Sequence, residues 1–277
     1  MTTEDTKPQP FRVSWSSLQA WEMCKQRGWL LSQRKSSPVK DSRNFFHGTV
    51  VDRIMRNWLD DPQPGVMPKM VDDYMESCEQ EALETGDGVV KWKHRTDKAD
   101  LREFCVTLTK KLEPILYKLV VPFDYEPAKR FKIPMTLPGI NNEPTEIFLT
   151  GEFDLLVREN SHFNVWDLKA TADNNYWKKT LGQLVFYDLA VYAMMGESPV
   201  RSGLIQPMCD QEVLEFSFTN DDRRAMLARI MTMLRAVWTE DHSPKADSVG
   251  CSWCSVRHAC EKYKKPNLVG LGMPGLI

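Results

Sequence analysis

The sequence predicts an α/β fold: a mixed central sheet flanked by helices, with a helical N-terminal part and a Cys-rich C-terminal segment. Three observations predict it. Apolar residues recur at helical spacing up to about residue 120, then alternate or run together at strand length over 129–170. Three of the seven cysteines then gather at Cys251, Cys254 and Cys260. With 277 residues, 42% of them hydrophobic and 27% charged, the chain can bury a substantial core, which excludes global disorder.

Taken in order, residues 1–10 are polar and Pro-containing and read as a flexible tail. From Ser14, Leu18, Trp21, Trp29 and Leu30 alternate with polar residues as in a helix, with Ser14, Ser16 or Ser17 available as caps. KSSPVKDSR, 35–43, reads as a loop. A helix from Phe45 to Leu59 ends before Asp60-Asp61-Pro62, and helices over 69–84 and 98–120 flank a Gly86–Gly88 turn. Strands follow at 129–135, 146–158 and 162–170, with turns at Pro138-Gly139 and Glu159–Ser161. EIFLTGEFDLLV and HFNVWDLKA read as a β-hairpin. A helix over 177–195, strands near 201–207 and 212–218 and a helix over 221–238 complete the pattern. The expected division is a tail at 1–10, a mainly helical part at 11–125, an α/β core at 126–240 and a Cys-rich segment at 241–277.

A net charge of −2 gives no general field for nucleic acid, so any such binding must use local patches. Candidates are Lys91, Lys93, Arg95 and Lys98, the pairs Lys110–Lys111 and Lys129–Arg130, and Lys262, Lys264 and Lys265. Singly, each reads as solvated surface charge. No apolar run is long enough to span a bilayer, and MTTEDTKPQPF lacks the pattern of a signal peptide, so the expected setting is cytoplasmic, without a membrane partner. In a reducing compartment clustered cysteines point to metal, not disulfides.

Asp167 and Lys169 lie two apart in the apolar strand 163–170 and so project to one face. Charges beside a sheet are costly unless paired or metal-bound. If the preceding strand pairs with this one, Asp154 reaches the same place, and two carboxylates and a lysine converge. Such a group can hold a divalent cation while the lysine orients water. Gln183 and Tyr187, four apart, share one face of the next helix. Alone, D-x-K reads equally as a buried ion pair. The full series is more specific: Gly151 and Asp154, then Asp167 and Lys169, then Gln183-Leu184 and Tyr187. It resembles the RecB-like branch of the PD-(D/E)xK nucleases.

That resemblance implies a restriction-endonuclease-like fold. It also implies Mg²⁺ or Mn²⁺ on Asp154 and Asp167 and support of phosphodiester hydrolysis by Lys169, with Gln183 and Tyr187 completing the catalytic set. FFHGTVVDRIM resembles the family's G-x-x-x-H helix, with Asp52 where the histidine ligand stands and His47 as the other candidate ligand. Asp52 suits a hard cation and reads equally as a surface helix residue. Glu126 matches a position where an acid often lies near the site.

C-x-x-C at Cys251 and Cys254, followed by five residues and then Cys260, needs a fourth ligand from elsewhere. Cys78, Cys105 and Cys209 sit in apolar patterns and read as core thiols. SWSSLQAWEMC resembles the S-x-S-x-L…C opening of RecB-like nucleases with an iron–sulfur staple, among them the AddB nuclease domain and CRISPR-associated exonucleases, although Lys25 stands where a proline is frequent. The resemblance makes Cys24 the fourth ligand and a 4Fe–4S cluster the cofactor. Zinc is the competing metal for four thiolates, and His242 and His258 rank lower as ligands. No G-x-x-x-x-G-K-[ST] loop is present. The resemblance therefore implies a stand-alone exonuclease acting on single- or double-stranded DNA ends, in host cytoplasm if phage-encoded. A flap endonuclease and a non-catalytic DNA-binding module are the alternatives.

Overall fold

The computed structural model describes residues 11–33, 43–85, 95–139, 143–245, 251, 254–260 and 262. The tail at 1–10, most of the loop at 35–43, the Gly86–Gly88 turn, Lys91, Lys93, Lys264 and Lys265 lie outside them. The chain divides into two compact units, Met1–Trp15 with Pro38–Thr232, and Ser16–Ser37 with Met233–Ile277.

The first unit is built on a six-stranded mixed sheet. Its strands are β1 (Phe11–Val13), β2 (Asp124–Pro138), β3 (Pro144–Glu159), β4 (His162–Leu168), β5 (Arg201–Ile205) and β6 (Val213–Phe216). The hairpin expected of β3 and β4 is present, turning through Asn160 at φ 59°. β2 runs antiparallel along one edge of β3 over its length. The other edge is shared: β1 pairs in parallel with Ile147–Leu149, and β4 pairs antiparallel from Leu155 onward. Between Leu149 and Leu155 that edge is split, because one strand has ended and the next has not begun. β5 is parallel to β4, and β6 closes the sheet antiparallel to β5.

Helices α3 (Arg43–Asp60), α4 (Val71–Thr85) and α5 (Arg95–Leu119) bury their apolar stripes together with one sheet face. Val50, Ile54 and Trp58 of α3, Met75 of α4, and Leu108, Leu112 and Leu116 of α5 form one core with Leu155, Val157, Trp166 and Ile205. Side chains of this kind, buried at about 1.5–3 kcal/mol each, hold α3 against the strands that carry the carboxylates. Helix α6 (Trp177–Met195) packs on β2, β4 and β5, and its bounds are those the sequence predicted. Helix α7 (Asn220–Trp238) starts on an Asp222 cap to Thr219, and Arg223 forms a buried ion pair with Asp188 of α6.

Two local expectations change. The single helix expected from Ser14 breaks at Cys24 into α1 (Trp15–Met23) and α2 (Lys25–Ser32). Cys24 is extended there (φ −165°, ψ 120°), and Gly28 closes onto the Trp21 ring, where a Cβ would stand 2.4 Å from Cγ. β1 was not expected at all: three residues are too few to show a period.

Candidate active site and cysteine cavity

The split edge of β3 positions the acidic group. Continuing the β3–β4 register one step past Leu155↔Trp166 sets Asp154 opposite Asp167. β2 does not complete its ladder there either: Ala128, which would face Asp154, takes φ 51° after Pro127. The Asp154 carboxylate reaches across and accepts the backbone N–H of Leu168 at 2.8 Å, between Asp167 and Lys169. Lys169 continues the β4–β5 pairing by donating its N–H to Ile205 O at 2.9 Å, which keeps Asp167 and Lys169 on one face. Asp154, Asp167 and Lys169 therefore converge as the sequence spacing predicts.

The group is electrostatically loaded. Lys169 Nζ lies 2.6 Å from Asp167 Oδ2, close as an ion pair but outside hydrogen-bond geometry. Asp167 is fully buried, and its Oδ1 also lacks a hydrogen-bond partner. Burial raises the pKa of Asp154, and the neighbouring Asp167 raises it further. Burial raises that of Asp167 too, against the pull of Lys169. For Lys169 burial works downward, but the two carboxylates outweigh it and the ammonium is held above its usual range. A buried carboxylate with an oxygen left unpaired is costly. A hard divalent cation satisfies such oxygens, so this donor set fits one.

Asp52 of α3 lines the same cleft as Asp154, of about 280 Å³, with Gly48, Arg56, Leu168 and Ala170. Its carboxylate pairs with Arg56 Nη2 at 2.8 Å, and burial raises its pKa despite that partner. Arg56 also donates to Glu152 Oε1 at 2.7 Å, and Arg130 holds the other oxygen of Glu152 at 2.8 Å. Burial tends to raise the pKa of Glu152, but the bonds from Arg130 and Arg56 prevail and hold it low. Arg56 and Glu152 went unrecognised in the sequence. The available signal was Glu152 two residues before Asp154, hence on the same strand face. His47 lies with its Nε2 2.9 Å from Ala170 O, so it holds the backbone just beyond Lys169. Glu126 is exposed, pairs with Lys129 and stays outside the cleft. Lys98 and Lys111 likewise pair with acids, Glu79 and Glu212.

Tyr187 is buried between Phe131 and Phe153. Its hydroxyl donates to Glu152 O at 2.8 Å and accepts from Gln183 Nε2 at 2.9 Å, and burial raises its pKa. The resemblance counts this pair in the catalytic set; the structure has Gln183 bonded to Tyr187, and Tyr187 bonded to the backbone of β3 two residues before Asp154.

In the second unit Cys24, Cys251, Cys254 and Cys260 line one cavity with Met23, Leu30 and Val256. All four are free and half-buried. Cys24 Sγ accepts the Lys245 N–H at 3.4 Å, and Cys260 Sγ donates to Gln26 Oε1 at 3.1 Å. Four thiols around one cavity are the donor set of a 4Fe–4S cluster or zinc. Among the described residues, however, no three His, Cys, Asp or Glu side chains stand close enough to share one ion, here or at the aspartates. His242 stacks on Trp29 at 4.8 Å, and His258 is exposed. Cys78, Cys105 and Cys209 are buried core thiols as expected, and burial pushes Cys105 up to about 12.

Residues 12–261 match the family model of the PD-(D/E)XK nuclease superfamily. No curated protein matches the chain. Among solved structures, a candidate exonuclease from Eubacterium rectale is similar over 97% of this chain and 96% of its own, at 13% identity and a TM-score of 0.53. A protein designated SSO0001 covers 67% of this chain and 95% of its own, at 13% identity and a TM-score of 0.38. At such identity the likeness concerns the fold alone. The mixed sheet with flanking helices is the restriction-endonuclease-like arrangement of the matched superfamily. No helix among the described residues is long and apolar enough to cross a membrane.

Proposed function

The chain belongs to the PD-(D/E)XK nuclease superfamily, and from that premise we propose that it is a divalent-metal-dependent DNA exonuclease of the RecB-like branch. The observation that carries the reading is the convergence of Asp154, Asp167 and Lys169 at the split edge of β3, with Asp52 in the same cleft. Asp154 and Asp167 would hold Mg²⁺ or Mn²⁺, with Asp52 as a further ligand. The bound cation would supply Lewis acidity toward the phosphodiester and lower the pKa of water.

The remaining work falls to the chain's own groups. Lys169, charged and fixed by Asp167, orients the attacking water and meets negative charge developing on the phosphate. Gln183 and Tyr187 fix the β3 backbone and hence the direction of Asp154. His47 fixes the chain after Lys169. The Eubacterium rectale chain, described as a candidate exonuclease, shares the fold over nearly its full length.

We assign the four-thiol cavity a structural 4Fe–4S cluster on Cys24, Cys251, Cys254 and Cys260, with zinc as the alternative. The reading rests on four free thiols lining one cavity. The function is tested with end-labelled single- and double-stranded DNA and Mg²⁺ or Mn²⁺. Asp167→Ala and Lys169→Ala should lose roughly 100-fold or more in rate, and near-normal cleavage by either would refute the assignment.

A further inference from the structure

Arg56 lines the cleft, and the proposed reaction leaves its chemistry unused. Its guanidinium carries five N–H donors in a rigid plane, suited to two parallel bonds with the oxygens of one phosphate. Here a single nitrogen, Nη2, meets both Asp52 Oδ2 at 2.8 Å and Glu152 Oε1 at 2.7 Å. Nε is buried and has no acceptor. The side chain as a whole is 34% exposed and borders the cleft that Asp52 and Asp154 line. Glu152 is itself braced by Arg130, so Arg56 is held from behind and its position is set before any ligand arrives.

We propose that Arg56 is a phosphodiester-binding residue, presenting the solvent-facing part of its guanidinium to a non-bridging oxygen of the DNA backbone beside the aspartates. The pairing with Asp52 and Glu152 orients the fork toward the cleft. It also lowers the repulsion that three carboxylates would offer an incoming phosphate. The inference rests on reading Asp154 and Asp167 as the cation-holding pair.

The test is binding of a fluorescein-labelled oligonucleotide, followed by anisotropy over a salt series without added divalent cation, together with cleavage at saturating Mn²⁺. Removing one phosphate contact lowers the slope of log affinity against log salt by about 1. Arg56→Gln should therefore bind roughly tenfold more weakly at moderate salt, with that shallower slope, and cleave roughly 100-fold more slowly. Arg56→Lys keeps the charge and so the slope, but loses the planar fork and should remain slow. If Arg56→Gln does not fold, Arg56→Lys decides alone: wild-type cleavage by it overturns the proposal. Wild-type affinity and slope in folded Arg56→Gln also overturn it. Asp154→Asn run in parallel separates the premises. If it still cleaves, the site reading fails; if it is inactive while Arg56→Gln binds as wild type, only the role of Arg56 falls.

Discussion

Asp154 carries opposed demands. Its carboxylate is raised in pKa by burial and by Asp167, so the folded chain holds its proton more tightly than the unfolded chain does. Stability from this group is fully present below the ordinary carboxylate pKa and declines as pH rises through the folded value. Asp154→Asn keeps an oxygen for the Leu168 N–H and leaves the Lys169–Asp167 pair intact. Without divalent cation, the variant should melt higher at neutral pH, by roughly 2–4 °C per kcal/mol relieved, and lose less stability between pH 4 and 7. Its cleavage should vanish. A lower melting temperature in calorimetry would contradict the charge balance described. Asp52→Asn tests the third carboxylate: the Mn²⁺ concentration for half-maximal cleavage should rise more than DNA affinity changes. An unchanged titration returns Asp52 to an ordinary partner of Arg56. At this scale, the spacing of Asp154, Asp167 and Lys169 was legible because strand periodicity and a hairpin place them together. Arg56, Glu152 and the backbone role of Tyr187 were not, since each depends on how α3 and α6 dock against β3.

Among the elements, β3 decides the site because two partners share one of its edges. Gly151 faces Phe131 of β2, whose ring would stand 2.5 Å from an added Cβ. Phe131 is itself stacked on Phe153 at 4.6 Å. Gly151→Ala should therefore push β2 from β3, costing about 1–3 kcal/mol, and lower cleavage more than metal-independent DNA binding. Wild-type melting and activity would show that the ring moves aside freely. The long elements were readable from their periods: α6 matches at both ends, and α3, α4 and α5 lie within a few residues of expectation. What escaped was short or set by tertiary contact. β1 is defined only by its pairing with β3, and the break at Cys24 by the fit of Gly28 against Trp21.

At the scale of the molecule, a metal or cluster held by the four thiols would join residue 24 to residues beyond 250 and close a loop that holds most of the chain. Binding one cluster or ion there would constrain the unfolded state strongly. Anaerobically purified protein should be brown, with about four irons per chain. Cys24→Ser should lower both iron content and melting temperature, whereas Cys105→Ser, a buried core thiol, should leave the colour unchanged. Colourless protein with stoichiometric zinc would replace the cluster and retain the four-cysteine site. Full metal retention in Cys24→Ser would remove Cys24 from it. The C-x-x-C spacing was plain in sequence, while the early partner was implied by resemblance; the structure sets Cys24 on the cavity wall.

The most direct test of the account follows cleavage of end-labelled single- and double-stranded DNA by wild-type protein and Asp154→Asn, with and without Mg²⁺ or Mn²⁺. The account predicts mononucleotides or short products released from ends by the wild type, only with the cation, and none from Asp154→Asn. Cleavage that persists without a divalent cation, or that survives Asp154→Asn, would contradict it.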